Sequence, residues 1–213
     1  MKNFRENGLY TNDEFNKRNI KVYCFRVIPE TGSSNFKRNI RFAQLFSIAF
    51  SQIVKLYENT GCMRILQHSN HIILIFDNDN SDKKINDGPL NELLSATLEL
   101  IAKIKSHSES NASPMGLKAF LAIDQGNVIL NTDFMNHPLY NNYIWLGEVL
   151  ERAVTLSDIA GTGKYPSILI THTIFKNLEP ELRKLFLKNY YYQHMCCYGS
   201  VDLNYRQLPT DEL

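Results

Sequence analysis

No stretch of the 213-residue chain is apolar for long enough to span a bilayer, and the first ten residues (MKNFRENGLY) lack the apolar core of a secretory signal. Both absences point to the cytoplasm and away from a membrane partner. Excess charge is also lacking: 23 Lys and Arg stand against 22 Asp and Glu, a formal net charge of +1. No strong field favours nucleic acid, an acidic partner or a lipid surface. Cysteine is scarce. Cys24, Cys62, Cys196 and Cys197 show no CxxC spacing, so reduced, mostly buried thiols are expected rather than a metal or redox site. There is no internal repeat and no low-complexity segment. What remains is ordinary: 44% hydrophobic and 21% charged residues, in a length that fits one domain with a sizeable core.

The chain centres on Cys62–Asp77, CMRILQHSNHIILIFD. Two short Ile-rich runs flank a polar knot and predict a β-hairpin turned at Ser69-Asn70, since Asn tolerates positive φ. The second run is apolar almost throughout, which predicts a strand covered on both faces, and the hairpin is expected at the centre of the sheet. Residues 1–19 are polar and mixed in charge and are expected to form an arm, with the domain running from 20 to 208 and a short tail at 209–213. Ile20–Ile28 is a predicted strand. Phe36–Asn59 and Pro89–Lys105 show helical spacing of apolar residues. Met115–Ile123 and Asn127–Asn131 are predicted strands joined by a tight turn at Asp124-Gln125-Gly126. Tyr143–Ile159 is the third predicted helix and Ser167–Thr171 a buried strand. Short helical turns follow at His172–Leu178 and Pro180–Phe186. Leu187–Cys197 and Val201–Leu208 are expected to close the fold as a hairpin turned at Tyr198-Gly199-Ser200. The order implies an α+β fold of βαββα type, an antiparallel-rich sheet with helices mainly on one face.

Several strings, in that order, resemble the catalytic domain of class III nucleotidyl cyclases. KVYCFRVI stands at the family's first metal-bearing strand. HSNHIILIF stands at a hairpin that carries Asp at its tip. MGLKAFLAIDQGNVIL resembles the strand pair often written GIGIHTGEV. NYIWLGEVLERAVTLSDIA resembles the DYTVIGDTVNLAARL helix, and KYPSILITHTIF the strand and helix after it. The resemblance covers roughly Ile20 to Leu208. It is closest in flavour to short stand-alone bacterial cyclases, including those making cyclic pyrimidine nucleotides in antiphage defence. Diguanylate cyclases share the core, but the hairpin holds no GGDEF-like string.

The reaction the resemblance implies is attack of a ribose 3′-hydroxyl on the α-phosphate with loss of pyrophosphate. Two divalent cations assist such displacements, and Mg²⁺ or Mn²⁺ want carboxylate ligands. Carried over residue by residue, the two metal-binding aspartates fall at Val27 and Asn70. Arg26 precedes Val27 and would repel a cation. The transition-state pair, Asn and Arg four apart on the third helix, falls at Glu151 and Thr155, which share a helix face. Arg152 lies one position off and is expected to point elsewhere. The purine-reading Lys of adenylyl cyclases falls at Leu66. Asn142, at the second base-reading position, retains a group able to bond a base edge. The expectation is therefore a degenerate cyclase-like protein that binds a nucleotide or a protein and forms a homodimer, since family active sites lie between two such domains. No cofactor is expected. Two alternatives stand beside it. One is an active cyclase using Mg²⁺ or Mn²⁺ on displaced acids such as Glu30, Asp77 or Glu151. The other is a subunit of a heterodimer whose partner is an intact cyclase. An effector protein is a further candidate partner.

Other constellations carry a plain reading beside a functional one. Thr31, Gly32, Ser33 and Ser34, between the first strand and first helix, suit a phosphate cradle helped by Lys37, Arg38 and Arg41; turn and N-cap chemistry explains them equally well. Gly161-Thr162-Gly163-Lys164 lacks the first glycine and the final Ser/Thr of a P-loop, and sits between elements in the reverse order. His68 and His71 bracket the hairpin tip, and their spacing predicts opposite faces and solvated rings. Tyr190-Tyr191-Tyr192 suit packing more than base stacking.

Overall fold

A computed structural model of the chain describes residues 16–29, 36–57, 62–77, 94–99, 101, 117–131, 144–186 and 188–200. The strands are β1 (Asn16–Pro29), β2 (Cys62–His68), β3 (His71–Asp77), β4 (Leu117–Asn131), β5 (Ile144–Leu146), β6 (Ile168–Thr171), β7 (Lys188–Tyr192) and β8 (Met195–Gly199). The helices are α1 (Phe36–Tyr57), α2 (94–99), α3 (Glu148–Ile159), α4 (His172–Asn177) and α5 (Pro180–Arg183). One sheet holds all eight strands in the order β2-β3-β1-β4-β6-β8-β7, with β5 paired to β4. The β4–β6 pair is parallel; the others are antiparallel.

Alternation along the strands sorts the core into two faces. Tyr23, Phe25, Val27, Ile72, Leu74, Phe76, Leu121 and Ile123 meet α1 through Leu45, Ala49, Ile53 and Tyr57, α2 through Leu94 and Leu98, and α4 through Ile174. Rings of Tyr23, Tyr57 and Phe76 stand 5.2–5.8 Å apart in tilted and edge-on pairs. The Tyr57 and Thr97 hydroxyls hydrogen-bond, so the two helices share a buried polar contact. On the other face Ile20, Val22, Cys24, Ile73, Ile75 and Val128 receive Val149 and Ala153 of α3, and Phe120, Ala122 and Leu169 receive Leu156 and Ala160. The helices thus lie mainly on one face, with α3 on the other.

The hairpin β2–β3 turns at Ser69-Asn70, and Ser69 takes φ 54°. All seven residues of β3 are buried, as its composition predicts. The hairpin is not the centre of the sheet, however. It forms one end, with β2 at the edge, while β1 and β4 lie inside. The reason is pairing length: β1 matches β4 from Asn16↔Leu130 to Pro29↔Leu117. That pairing also draws Asn16–Asn19 into β1, so the strand starts before the expected domain boundary at 20.

Three further expectations are corrected. The turn at Asp124-Gln125-Gly126 is absent, and β4 runs straight through it. Gly126 opposes Ile20 within the ladder, and a Cβ there would stand 3.2–3.3 Å from Arg152 and Val149, so the glycine serves close approach of α3 rather than a turn. The third helix begins at Glu148, not Tyr143, because Ile144–Leu146 pair with Ile129–Asn131. The closing hairpin turns at Gln193-His194, with Gln193 at φ 50°, and not at Tyr198-Gly199-Ser200, which ends β8. Val201–Leu208 lies outside the described residues.

Candidate functional site

The two metal positions implied by the resemblance come together. Val27 N–H donates to the Asn70 carbonyl at 3.0 Å, so the end of β1 abuts the hairpin tip. Val27 carries no donor atom in its side chain, and the Asn70 amide oxygen can ligate a cation but brings no charge to hold it. Val27 is fully buried with its side chain in the core under α1 and α2. Asn70 brings a neutral amide and spends its backbone carbonyl on Val27. Among the described residues no three His, Cys, Asp or Glu side chains converge to hold an ion. A hard dication wants oxygen ligands carrying charge, and these two positions supply none.

Of the displaced acids, Asp77 is remote from this place. It opposes Ile20, seven residues along β1 from Val27 and so roughly 23 Å away. It is also committed, accepting from Arg18 Nη1 at 3.0 Å while 3% exposed. Glu151 is exposed on α3 and Thr155 half-buried one turn later. Glu30, Thr31, Gly32, Ser33, Ser34 and Asn142 lie outside the described residues.

Arg152 points elsewhere, as expected, and the structure shows where. Its Nε donates to Asp124 Oδ2 at 2.7 Å. Asp124 is 1% exposed, and its Oδ1 accepts from the Gln125 N–H at 2.8 Å and the Thr171 hydroxyl at 2.7 Å. The buried carboxylate is fully bonded and ties β4, β6 and α3 together. Its sequence position, read as a turn, concealed it.

A second charged cluster lies on the α3 side of the hairpin tip. Arg26, opposite His71 in the ladder, reaches over the Phe120 ring at 4.6 Å and donates from Nη2 to the Ala160 carbonyl at 2.9 Å. Asp158, in the last turn of α3, sets Oδ1 3.0 Å from His71 Nε2 and 4.0 Å from Arg26 Nε. The Arg26 and His71 side chains are 13% and 10% exposed, and Asp158 is 52% exposed. Burial pulls Arg26 down from its ordinary value, and the Asp158 carboxylate opposes this only in part. His68 and His71 form a directly opposed pair across the two-residue turn, so they share a face, contrary to the expectation from spacing. His68 is exposed, but His71 is buried. Asp158 was not singled out in the sequence; its distance from the hairpin hides the contact, though its i+7 spacing from Glu151 along α3 was a usable signal.

On the opposite side of the tip, Phe42, Phe46 and Phe50 of α1, with Ser47, Ser51, Gln67 and Ser69, line an open groove of about 480 Å³. Gly161 and Gly163 take φ 73° and 54° in an exposed turn closing α3, not in a phosphate loop. Tyr190 and Tyr192 pack on Tyr165 at 5.7 and 6.2 Å, while Tyr191 is exposed. All four cysteines are free thiols. Burial pushes Cys24 up to about 12 and Cys197 to about 11. No helix among the described residues is long and apolar enough to cross a membrane.

No family model matches the sequence. No curated protein matches it either. Solved structures do. The adenylyl cyclase CyaB from P. aeruginosa aligns over 89% of this chain and 96% of its own, with a TM-score of 0.64 at 12% identity. The guanylate cyclase domain of RhGC from Catenaria anguillulae, solved in complex with GTP, aligns over 87% and 98%, with a TM-score of 0.61 at 10% identity. A dimeric guanylyl cyclase domain of the RhoGC fusion protein from Blastocladiella emersonii aligns over 88% and 97%, with a TM-score of 0.60 at 10% identity. These whole-domain superpositions show that the chain has the fold of the class III adenylyl and guanylyl cyclase catalytic domain.

Proposed function

We propose that this protein is a catalytically degenerate nucleotidyl-cyclase-like protein that acts by binding a nucleotide or a protein partner and works as a homodimer. One observation carries the reading. The end of β1 and the hairpin tip meet through the Val27–Asn70 hydrogen bond, and both positions there are uncharged. The two positions that the resemblance gives to metal-binding aspartates thus lie side by side without a charge, which supports a reading in which no pair of cations is held there. Glu151 and Thr155 extend the same pattern on α3, with a carboxylate and a hydroxyl in place of an amide and a cation. The phenylalanine-lined groove beside the tip has the size and apolar walls of a small-molecule site and supports a binding role.

The test is incubation of the purified protein with each nucleoside triphosphate and Mn²⁺, with cyclic product and pyrophosphate measured. No turnover is expected. Turnover that disappears in Glu30→Ala or Glu151→Ala would establish an active cyclase with displaced acids instead. A thermal-shift panel tests binding: a nucleotide at a hundred times its dissociation constant adds about 2.7 kcal/mol of stability. A flat panel would leave the protein-binding role alone standing.

A further inference from the structure

Asp158 is an anion already seated between a guanidinium and an imidazole ring nitrogen, and the seat is largely built from buried groups. Arg26 comes from β1, is pinned over Phe120 and is anchored to the Ala160 carbonyl. His71 comes from β3, buried in the ladder opposite Arg26. Both therefore hold their positions whether or not Asp158 is present. Asp158 itself is half exposed and approaches from the last turn of α3, with only Oδ1 engaged. Its Oδ1 stands 4.0 Å from Arg26 Nε, beyond hydrogen-bond range, and that Nε has no hydrogen-bond partner among the described residues. The guanidinium is thus incompletely satisfied by its internal counter-ion. The cluster also stands beside Asn70, where the two uncharged positions meet.

We propose that Arg26 and His71 form an oxyanion subsite for a polyphosphate group, bound without a metal ion, and that Asp158 is its displaceable internal occupant. The inference rests on the nucleotide-binding reading above and deepens it. A polyphosphate oxygen replaces Asp158 Oδ1 between the guanidinium and the imidazole, and the Asp158 carboxylate rotates into water, where half of its surface already lies. A guanidinium suits this because phosphate oxygens accept its fixed N–H donors in charge-assisted bonds. Fixed positive charge stands where a cyclase would recruit cations, so a metal ion has no role and is repelled. Metal-complexed polyphosphate, carrying less charge, binds more weakly than the free anion.

The test is calorimetric titration of inorganic tripolyphosphate, and in parallel of each nucleoside triphosphate, into the full-length protein in EDTA and again in excess Mg²⁺. The expected result is binding of both probe types in EDTA and weaker binding in Mg²⁺. Arg26→Gln weakens tripolyphosphate about tenfold or more, as loss of a charged hydrogen-bonding partner does. Asp158→Asn tightens it about two- to fivefold, the worth of a half-exposed ion pair. Arg26→Gln also removes the Ala160 contact, so Asp158→Asn, which leaves that anchor intact, decides the matter if the first variant does not fold. Nucleotide binding that requires Mg²⁺, or that neither variant moves, overturns the subsite and leaves the nucleotide reading intact. Tripolyphosphate binding that responds to both variants, with no gain from any nucleoside, supports the subsite and overturns the nucleotide reading. Absence of binding by every probe overturns both.

Discussion

At the scale of single residues, burial decides what each side chain can do. Val27 fills a fully buried place under α1 and α2. Val27→Asp should therefore cost about 3 kcal/mol or more, because an unpaired carboxylate enters the core. Asn70→Asp at the half-exposed tip should stay within about 1 kcal/mol. Urea unfolding of the two variants checks the contrast; equal effects would mean that Val27 is not in the core. Cys24 gives a second prediction. Ser157 donates its hydroxyl to the Val154 carbonyl at 2.7 Å, which leaves the Cys24 thiol as donor in their 3.3 Å contact. Burial raises this thiol from 9.0 to about 12. The neutral thiol is thus favoured in the fold. Below pH 9 both states keep the proton and stability does not depend on it. Between about pH 9 and 12 only the unfolded chain loses it, so stability falls with rising pH by up to about 1.4 kcal/mol per unit for this one proton. Cys24→Ala should flatten the alkaline limb of a melting-temperature profile relative to wild type. An unchanged slope would remove Cys24 as the cause.

At the scale of elements, α3 is the piece whose setting matters most, because it carries Glu151, Thr155 and Asp158 on one side and its core contacts on the other. Its rotation is fixed from both ends. Arg152 meets Asp124 near its start, and Asp158 and the Ala160 carbonyl meet His71 and Arg26 at its end. Asp124→Asn should cost about 2–3 kcal/mol, since it weakens a buried bonded carboxylate whose cationic partner is a third exposed. Hydrogen exchange should then rise in α3 before it rises in β1; uniform change would deny the tie a local role. Gly161 gives a sharper contrast. It has φ 73°, and a Cβ there would stand 1.8 Å from the Phe120 ring, whereas Gly163 has φ 54° and open space. Gly161→Ala should destabilise by several times the effect of Gly163→Ala in the same melting assay. Much of this scale was legible in the sequence. The Ile-rich runs and the Ser69-Asn70 knot gave the hairpin, and apolar spacing gave α1, because those signals are local. What was not legible depends on partners. Asp124-Gln125-Gly126 has turn composition, yet β1 is long enough to pair through it, while Arg152 pairs with its carboxylate and Thr171 donates a hydrogen bond to it. Leu187–Cys197 and the residues after it hold several possible turns, and only the register of Tyr190 against Cys197 selects Gln193-His194. The site followed the same rule. Order of elements was enough to expect the end of β1 near the hairpin tip, where Val27 meets Asn70, but Asp158 joins Arg26 and His71 only through the docking of α3.

At the scale of the whole molecule, the described helices cover the two faces of the sheet unequally. One face receives α1, α2 and α4, while α3, about 18 Å long, is the described helix on the other. The seven strands of the main path span roughly 29 Å at their usual spacing, more than α3 alone covers among the described residues. Leu66, Leu150 and Val154 there are only partly buried, and Leu146 on β5, four residues before Leu150, is 55% exposed. An apolar border next to a polar row of Glu148, Glu151 and Asp158 has the make-up of an interface, with an apolar core and a charged rim. The homodimer proposed above would use it. Sedimentation equilibrium should give twice the chain mass, and Leu146→Glu should shift the protein toward monomer without lowering the melting temperature of the isolated chain. Because α3 carries the Glu151 and Thr155 positions on that same side, dimer formation would place those residues against the partner, and loss of the dimer should weaken nucleotide binding in parallel. A stable dimer that survives Leu146→Glu would move the interface elsewhere, and a wild-type monomer at all concentrations would remove the partner from the nucleotide site altogether.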